Sequence, residues 1–271
     1  MAGTNWTNQR CMKKPRPGMI VQPRDINFLG KFGILGVVDR EQFKVVAGFT
    51  STTRANTRLL QLVRAGLLRR FFLGSGGGRK AIYALSAKGA QLAGVTYRGP
   101  RRRQEEVLIA DFYIQHQMTV NEVYCALKHK PIAVPGVSFL KWIAFHEPIV
   151  SSRRLIPDGY VELATPAEKV CAFLEVDLGH EGLAVWREKT RQYLKFATSG
   201  EFKKTFHEDR FRVLVLVNSE RRLYSIREAV GVVTQKIFWF ATLESTASDF
   251  FAPVWLRPVG DQPKPLIEGC L

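Results

Sequence analysis

Apolar residues recur with a helical period in TTRANTRLLQLVRAG, where Ala55, Leu59, Leu62 and Val63 stand at i, i+4, i+7 and i+8. That spacing predicts a helix with one buried stripe. It leaves Arg54, Thr57, Arg58 and Gln61 on the opposite face, with Arg64 beside them. Just upstream, Asp39 with Gln42 three residues on signals a helix start, Phe43, Val46 and Ala47 supply its apolar positions, and Gly48 stops it. The turn GFTS separates the two. A weaker helical pattern begins at Asp25 and runs through Ile26, Leu29 and Phe32. Downstream, 67–73 and 81–85 are strand candidates joined by the tip GSGGGRK, followed by the helical stretch AKGAQLAG. Two helices joined by a short Gly-containing turn, then a basic hairpin, is the order of a winged helix-turn-helix.

After the charged connector YRGPRRRQEE the pattern changes. A helix is expected over 105–128, broken near Met118, and strands over 139–147, 159–163 and 170–176. A helix over 182–198 separates these from FRVLVLV at 211–217, an unbroken apolar run that suits a strand buried on both faces. A further helix over 219–230, a last strand over 237–242 and a loose Pro-rich tail from Arg257 complete the chain. Helix, three strands, helix, strand is the order of a restriction-endonuclease-like α/β core. The expected organisation is a basic disordered arm (1–20), a winged-helix domain (21–98), a connector and helix (99–130), the α/β domain (131–256) and the tail (257–271).

Charge sharpens the picture. The chain carries a formal net charge of +16. Residues 1–104 hold 20 Lys and Arg against 3 acids, whereas residues 105–271 hold 20 against 21. A folded module with that excess attracts a polyanion, and nucleic acid is the usual one. The outer-face residues Arg54, Thr57, Arg58, Gln61 and Arg64 are then expected to meet double-stranded DNA, with Arg79 and Lys80 of the wing and Arg101, Arg102 and Arg103 of the connector on phosphates. No apolar run approaches the ~18 residues of a membrane span, and the N-terminus lacks a signal-peptide core. A cytoplasmic protein without membrane partners is expected. The four cysteines are too scattered for a zinc site, and Cys171 sits in an apolar strand.

The blocks RLLQLVRAGLLRRF, YALSAKGAQL, VNEVY, PDGYVEL, FLEVDLGHE and FRVLVLVNSERRL, in that order, resemble the replication-relaxation family of plasmid and mobile-element proteins, with similarity to MobC-type mobilisation proteins. The resemblance implies a winged-helix DNA reader joined to a PD-(D/E)xK-like nuclease domain. It implies a role at origin DNA in replication, relaxation or conjugative mobilisation, with other relaxosome or replication proteins as partners.

Within this frame PDGYVEL and FLEVD carry the candidate chemistry. Asp158 opens one strand, and Glu175 and Asp177, two apart on the next, leave the same face of the sheet. Asp158, Glu175 and Asp177 are thus candidate ligands for Mg²⁺ or Mn²⁺, hard cations that take carboxylate oxygen. Glu122 on the preceding helix is a further acid within reach of that group. The nuclease pattern calls for a lysine where Asp177 stands. Lys189, or Arg187, on the following helix would supply the missing cation, so Asp158, Glu175 and Lys189 form the candidate catalytic set. The bland alternative has Asp158 cap a turn before Gly159 and pairs Glu175 and Asp177 with Arg153, Arg154 or Arg191. No His-x-His motif of a tyrosine relaxase and no phosphate-binding G-x-x-x-x-G-K-[ST] is present. Three functions stay open: a strand nickase, an accessory factor that organises origin DNA, and a transcriptional regulator whose second domain forms a homodimer or docks a partner.

Overall fold

The structure, a computed structural model, describes residues 19–73, 80–98, 107–151 and 154–267, and of 107–111 the backbone alone. Most of the expected arm, the wing residue Arg79 and the connector residues Arg101, Arg102 and Arg103 lie outside the described residues.

The first part is built from α1 (Pro23–Gly30), α2 (Phe32–Leu35), β1 (Val37–Asp39), α3 (Arg40–Val46) and α4 (Thr52–Arg64). The hairpin β2 (Leu68–Leu73) and β3 (Lys80–Leu85) and the short α5 (Ala87–Ala93) follow. The Asp39 cap is the one the sequence signals. The Asp39 carboxylate accepts from Gln42 N at 2.8 Å, and Ser51 and Ser86 cap α4 and α5 through their hydroxyls. Gly48 ends α3 at φ 69°, a left-handed conformation open to glycine without strain. Ala55, Leu59 and Leu62 are fully buried, so the predicted stripe of α4 is the buried one. Strand β1 pairs with β3 on the side away from β2, giving the order β1-β3-β2. Three residues are too few to register a period, and the sequence pattern does not announce β1.

Helix α6 (Val107–His129) is continuous, which corrects the break expected near Met118. The polar residues that interrupt its apolar pattern there have partners. Gln117 donates to Asn121 at 3.0 Å, and the Asn121 amide donates to the carbonyls of Leu35 (3.0 Å) and Val37 (2.6 Å). The helix changes neighbours along its length rather than breaking.

The second sheet has the order β4-β5-β6-β7-β8: β4 (Ser138–Ile143), β5 (Gly159–Ala164), β6 (Lys169–Asp177), β7 (Arg212–Val217) and β8 (Phe238–Thr242). Its first three strands are antiparallel and its last three parallel. The parallel steps are crossed by α7 (Leu183–Thr198) with α8 (Glu201–Phe206), and by α9 (Glu220–Gly231); α10 (Leu243–Ser248) follows β8. At Gly159 a Cβ would stand 2.5 Å from the Trp142 ring, so glycine is needed where β5 starts against β4. The expected loose tail is corrected as far as Ile267. Trp255 bridges Lys264, and Leu266 and Ile267 are buried, because these apolar side chains have a core to enter.

The alternation of β6 sorts the core. Val170, Ala172, Leu174 and Val176 join an apolar cluster that also contains Tyr124 of α6 and Phe28, Val38 and Leu59 of the first part. Cys171 and Phe173 face the other way, into a cluster with Tyr193 and Phe196 of α7 and Phe211. Glu175 and Asp177 continue that second face to its end, where the strand leaves the apolar core.

Candidate functional site

The end of β6 meets the start of β5 because the two strands run antiparallel. Asp158 N donates to Leu174 O at 3.1 Å, and the Asp158 carboxylate accepts from Val176 N at 2.7 Å. Helix α7 then returns over the same end of the sheet, and its second turn places Lys189 Nζ 2.9 Å from Glu175. The opposite oxygen of Glu175 accepts from Tyr193 OH at 2.5 Å. Lys189 also bonds Glu181 at 2.9 Å. The expected set Asp158, Glu175 and Lys189 is therefore brought together, around a cleft of about 390 Å³ whose lining includes Asp158, Glu181 and Lys189.

Asp177 lines the same cleft but is bonded differently. Its oxygens accept from Arg222 Nε (2.9 Å) and from a second Arg222 nitrogen (2.6 Å), from Trp186 Nε1 (2.8 Å) and from Gly179 N (2.6 Å). Four donors occupy its lone pairs, which corrects the expectation that Asp177 is a metal ligand. Glu122 is likewise away from the cleft, lining a different cavity with Asp39, Cys125 and Phe250. Among the described residues no three His, Cys, Asp or Glu side chains are grouped to hold an ion. Of the other two expected ligands, Asp158 lines the cleft, and Glu175 is buried with one oxygen on Tyr193 and the other on Lys189. Mg²⁺ commonly takes one or two carboxylates and keeps water for the rest.

Electrostatics separates two acids that are two residues apart. Burial, and then the Asp158 charge, push the Glu175 carboxyl up; Lys189 and Tyr193 offset only part of this. Burial acts the same way on Asp177, but the hydrogen bonds from Arg222 and Trp186 outweigh it and hold that carboxyl below its ordinary range. Burial works against the charge on Lys189, and Glu175 and Glu181 overcome it, so the ammonium is held firmly. The network sets the carboxyl groups of Asp158, Glu175, Asp177 and Glu181 against Lys189, Arg222 and His116.

His116 of α6 is a member the sequence pattern does not single out. Its Nε2 lies 3.0 Å from Val176 O and 3.3 Å from Asp158 Oδ2. Burial opposes its charge, and the hydrogen bond and charge of Asp158 more than compensate, raising its pKa. It fills the point on which these two oxygens converge. Arg222 is hidden by the 45 residues between it and Asp177, whereas Tyr193 stands one turn after Lys189 on α7.

On α4, Arg54, Thr57 and Arg64 are exposed as expected. Arg58 and Gln61 are not free, which corrects their place on the outer face. The Arg58 guanidinium forms a salt bridge with both oxygens of buried Asp25, donates to Ile20 O at 2.8 Å and donates to Gln61 Oε1 at 2.8 Å. The polar face of α4 therefore divides into an exposed part and a part that fastens α1. Lys80 Nζ pairs with Asp39 at 2.6 Å while half exposed. Arg69 and Arg70 of β2 are also exposed, each lying over a phenylalanine ring two residues on, Phe71 at 4.8 Å and Phe72 at 5.2 Å. The sequence pattern assigned these arginines to a strand and gave them no further role.

Among solved structures, that of the restriction endonuclease FokI is similar with a TM-score of 0.33 and 11% identity, over 81% of this chain and 42% of that one. This is too slight a likeness to carry an argument. No curated protein matches the sequence. The replication-relaxation family matches residues 33–208, a span that takes in α4, the hairpin, α6, the paired strands of Asp158 and Glu175, and Lys189, and on that match the chain belongs to the replication-relaxation family.

Proposed function

We propose that this chain binds double-stranded origin DNA of a plasmid or integrative element and nicks one strand at the cleft between β5, β6 and α7. The observation that carries the reading is the convergence of Asp158, Glu175 and Lys189 at one end of the second sheet, with Lys189 2.9 Å from Glu175. The sequence distance of 14 residues between the last two is closed by the strand-to-helix return. Lysine thereby recovers a place beside the acids that the strand itself gives to Asp177.

The roles follow from the bonds. Asp158 and Glu175 would hold Mg²⁺ or Mn²⁺, which supplies Lewis-acid activation of a phosphodiester and of water. Lys189 lowers the cost of charging the buried Glu175 carboxyl without cancelling it, and presents a positive charge beside it. Tyr193 orients Glu175 from the other side. The Asp177–Arg222 pair holds the end of β6 against α9 and so positions Glu175 two residues away.

The helix pair α3 and α4 with the β2–β3 hairpin is read as a winged helix-turn-helix, and the β4–β8 sheet with α6 and α7 as a restriction-endonuclease-like core. Arg54, Thr57 and Arg64 would then face the major groove, with Arg69, Arg70 and Lys80 on flanking phosphates. The protein would be cytoplasmic and would work with other relaxosome or replication proteins.

The test uses supercoiled DNA carrying the element's origin, with Mn²⁺ or Mg²⁺. Open circles are expected from the wild type, and none from Asp158→Asn or Lys189→Ala. Nicking that survives in Asp158→Asn would sink the assignment of the cleft. A second reading, that of an accessory or regulatory DNA-binding protein, is favoured by one observation: Arg222 withdraws Asp177 from any metal. Origin binding with no open circles at any divalent ion would establish it in place of the first.

A further inference from the structure

The cleft beside Asp158 has two unlike walls. One is charged, with Asp158, Asp177, Glu181, His116 and Lys189. The other is built from Phe112, Tyr113 and His180, with Ile156 at its edge. The Phe112 and His180 rings meet edge-on with centroids 3.9 Å apart, and Tyr113 lies 5.7 Å from Phe112. This wall is open to water: Tyr113 is 65% exposed and Ile156 47%. Large apolar side chains gathered around a cavity and left wet mark a surface that receives something.

A ligand that fits both walls has a flat apolar part and an anionic part a few ångströms away. A nucleotide has that form. In an intact duplex, however, bases are stacked inside the helix and their faces cannot reach a protein wall. We propose that Phe112, Tyr113 and His180 seat an unpaired nucleobase next to the phosphate addressed by Asp158 and Lys189, so that the DNA entering this cleft is single-stranded or locally melted. This rests on the proposed nicking function and names the state of its substrate. Duplex DNA engages the exposed face of α4, and the cleft takes a strand already separated from its partner. Base stacking on aromatic rings tolerates any base, so this wall contributes affinity without choosing a sequence.

The experiment uses the full chain with Ca²⁺, a hard cation that carboxylates also hold, and a single-stranded oligonucleotide with one 2-aminopurine, whose fluorescence falls on stacking. Saturable quenching is expected. Replacing Tyr113 and His180 together by Ala should weaken binding of this oligonucleotide by roughly 5- to 150-fold, the range that stacking of one base represents. Duplex binding should stay within about twofold, because the α4 face is untouched. Tyr113→Trp should restore quenching when His180 is intact, which separates stacking from a general loss of structure.

An oligonucleotide with an abasic residue at the probe position should bind the wild type as weakly as the normal one binds the double variant. Equal binding of abasic and normal strands, or unchanged affinity in the double variant, would overturn the inference. An aromatic wall that captures a peptide instead would give that second result. Failure here is distinct from failure of the nicking function. Plasmid nicking by the wild type alongside unchanged oligonucleotide binding in the double variant removes the stacking wall and keeps the nickase. Quenching lost in the double variant without nicking by the wild type does the reverse.

Discussion

The part of the molecule built on β1–β3 and the part built on β4–β8 each bury one aspartate under one arginine from a distant helix: Asp25 under Arg58, and Asp177 under Arg222. Around these matching pairs each part also carries charges of another kind. In the first, Arg54, Arg64, Arg69 and Arg70 are exposed on the surface. In the second, Asp158 and Glu175 lie at one end of the sheet and are held by Lys189, His116 and Tyr193. An arginine or aspartate thus has two uses, as a fastener or as a working charge, and its residue type does not say which. Its partner decides, and the partner is 33 residues away in one case and 45 in the other.

The comparison breaks most visibly if one half of a fastener is removed. Arg222→Ala leaves Asp177 buried and uncompensated, and Arg58→Ala does the same to Asp25. Each should lower unfolding free energy by about 3–5 kcal/mol in urea titrations. Asp177→Asn combined with Arg222→Met should cost far less than Arg222→Ala alone, since a whole buried pair is exchanged for neutral groups. A double variant as unstable as the single would mean that these residues are not fasteners.

The next largest effect is on pH. Burial works against the charge of Asp25, and its hydrogen bonds from Arg58 and Gln22 win, so its folded pKa lies below the ordinary 3.8. The stability it contributes is complete above 3.8 and is lost as pH falls through the folded value. Asp177 is shifted the same way. Glu175 has the opposite sign. Its folded pKa is raised above 4.5, so its contribution is complete below 4.5 and is lost as pH rises through the raised value. Urea midpoints should therefore drop on acidification in the wild type, and drop less in the Asp25→Asn, Arg58→Met variant. In Lys189→Met, carbon-13 titration should show Glu175 moved further upward, because the attraction that counters its burial is gone.

The smallest effects on stability belong to the working charges. Arg54→Ala and Arg64→Ala should change unfolding free energy by no more than about 0.5 kcal/mol. Under the proposed function each should still weaken origin binding, by about 1–3 kcal/mol where the side chain reads a base, or reduce the salt slope by about 1 where it meets a phosphate. Arg58→Ala would invert this pattern, with a large loss of stability and an effect on DNA only through it.

How far these features were legible beforehand follows from the same contrast. Periodicity located α4, the β2–β3 hairpin, β5, β6, α7 and β7, because each presents a run long enough to show its period. It passed over β1, α8 and α10, which are three to six residues long. It also split α6 at Met118, where the helix exchanges one set of neighbours for another. Asp158, Glu175 and Lys189 could be named from spacing along β5, β6 and α7, since alternation and helical return are local geometry. Tyr193, one turn after Lys189, was open to the same reasoning and was passed over; His116, Arg222 and the Asp25–Arg58 pair could not be named, because tertiary contact between remote segments is what gives them a role.

Helix α6 has a consequence of its own. Within six residues it bonds His116 to the carbonyl of Val176 in one sheet and Asn121 to the carbonyls of Leu35 and Val37 beside the other. One added residue between these anchors would turn the lower half by about 100° and shift it by about 1.5 Å, which no side chain could absorb at both ends. Loops elsewhere can lengthen, and the exposed residues of α4 can be exchanged without disturbing the core. The segment from 116 to 121 has the status of a gauge block, whose length must be inherited unchanged while the parts it separates are free to be retooled.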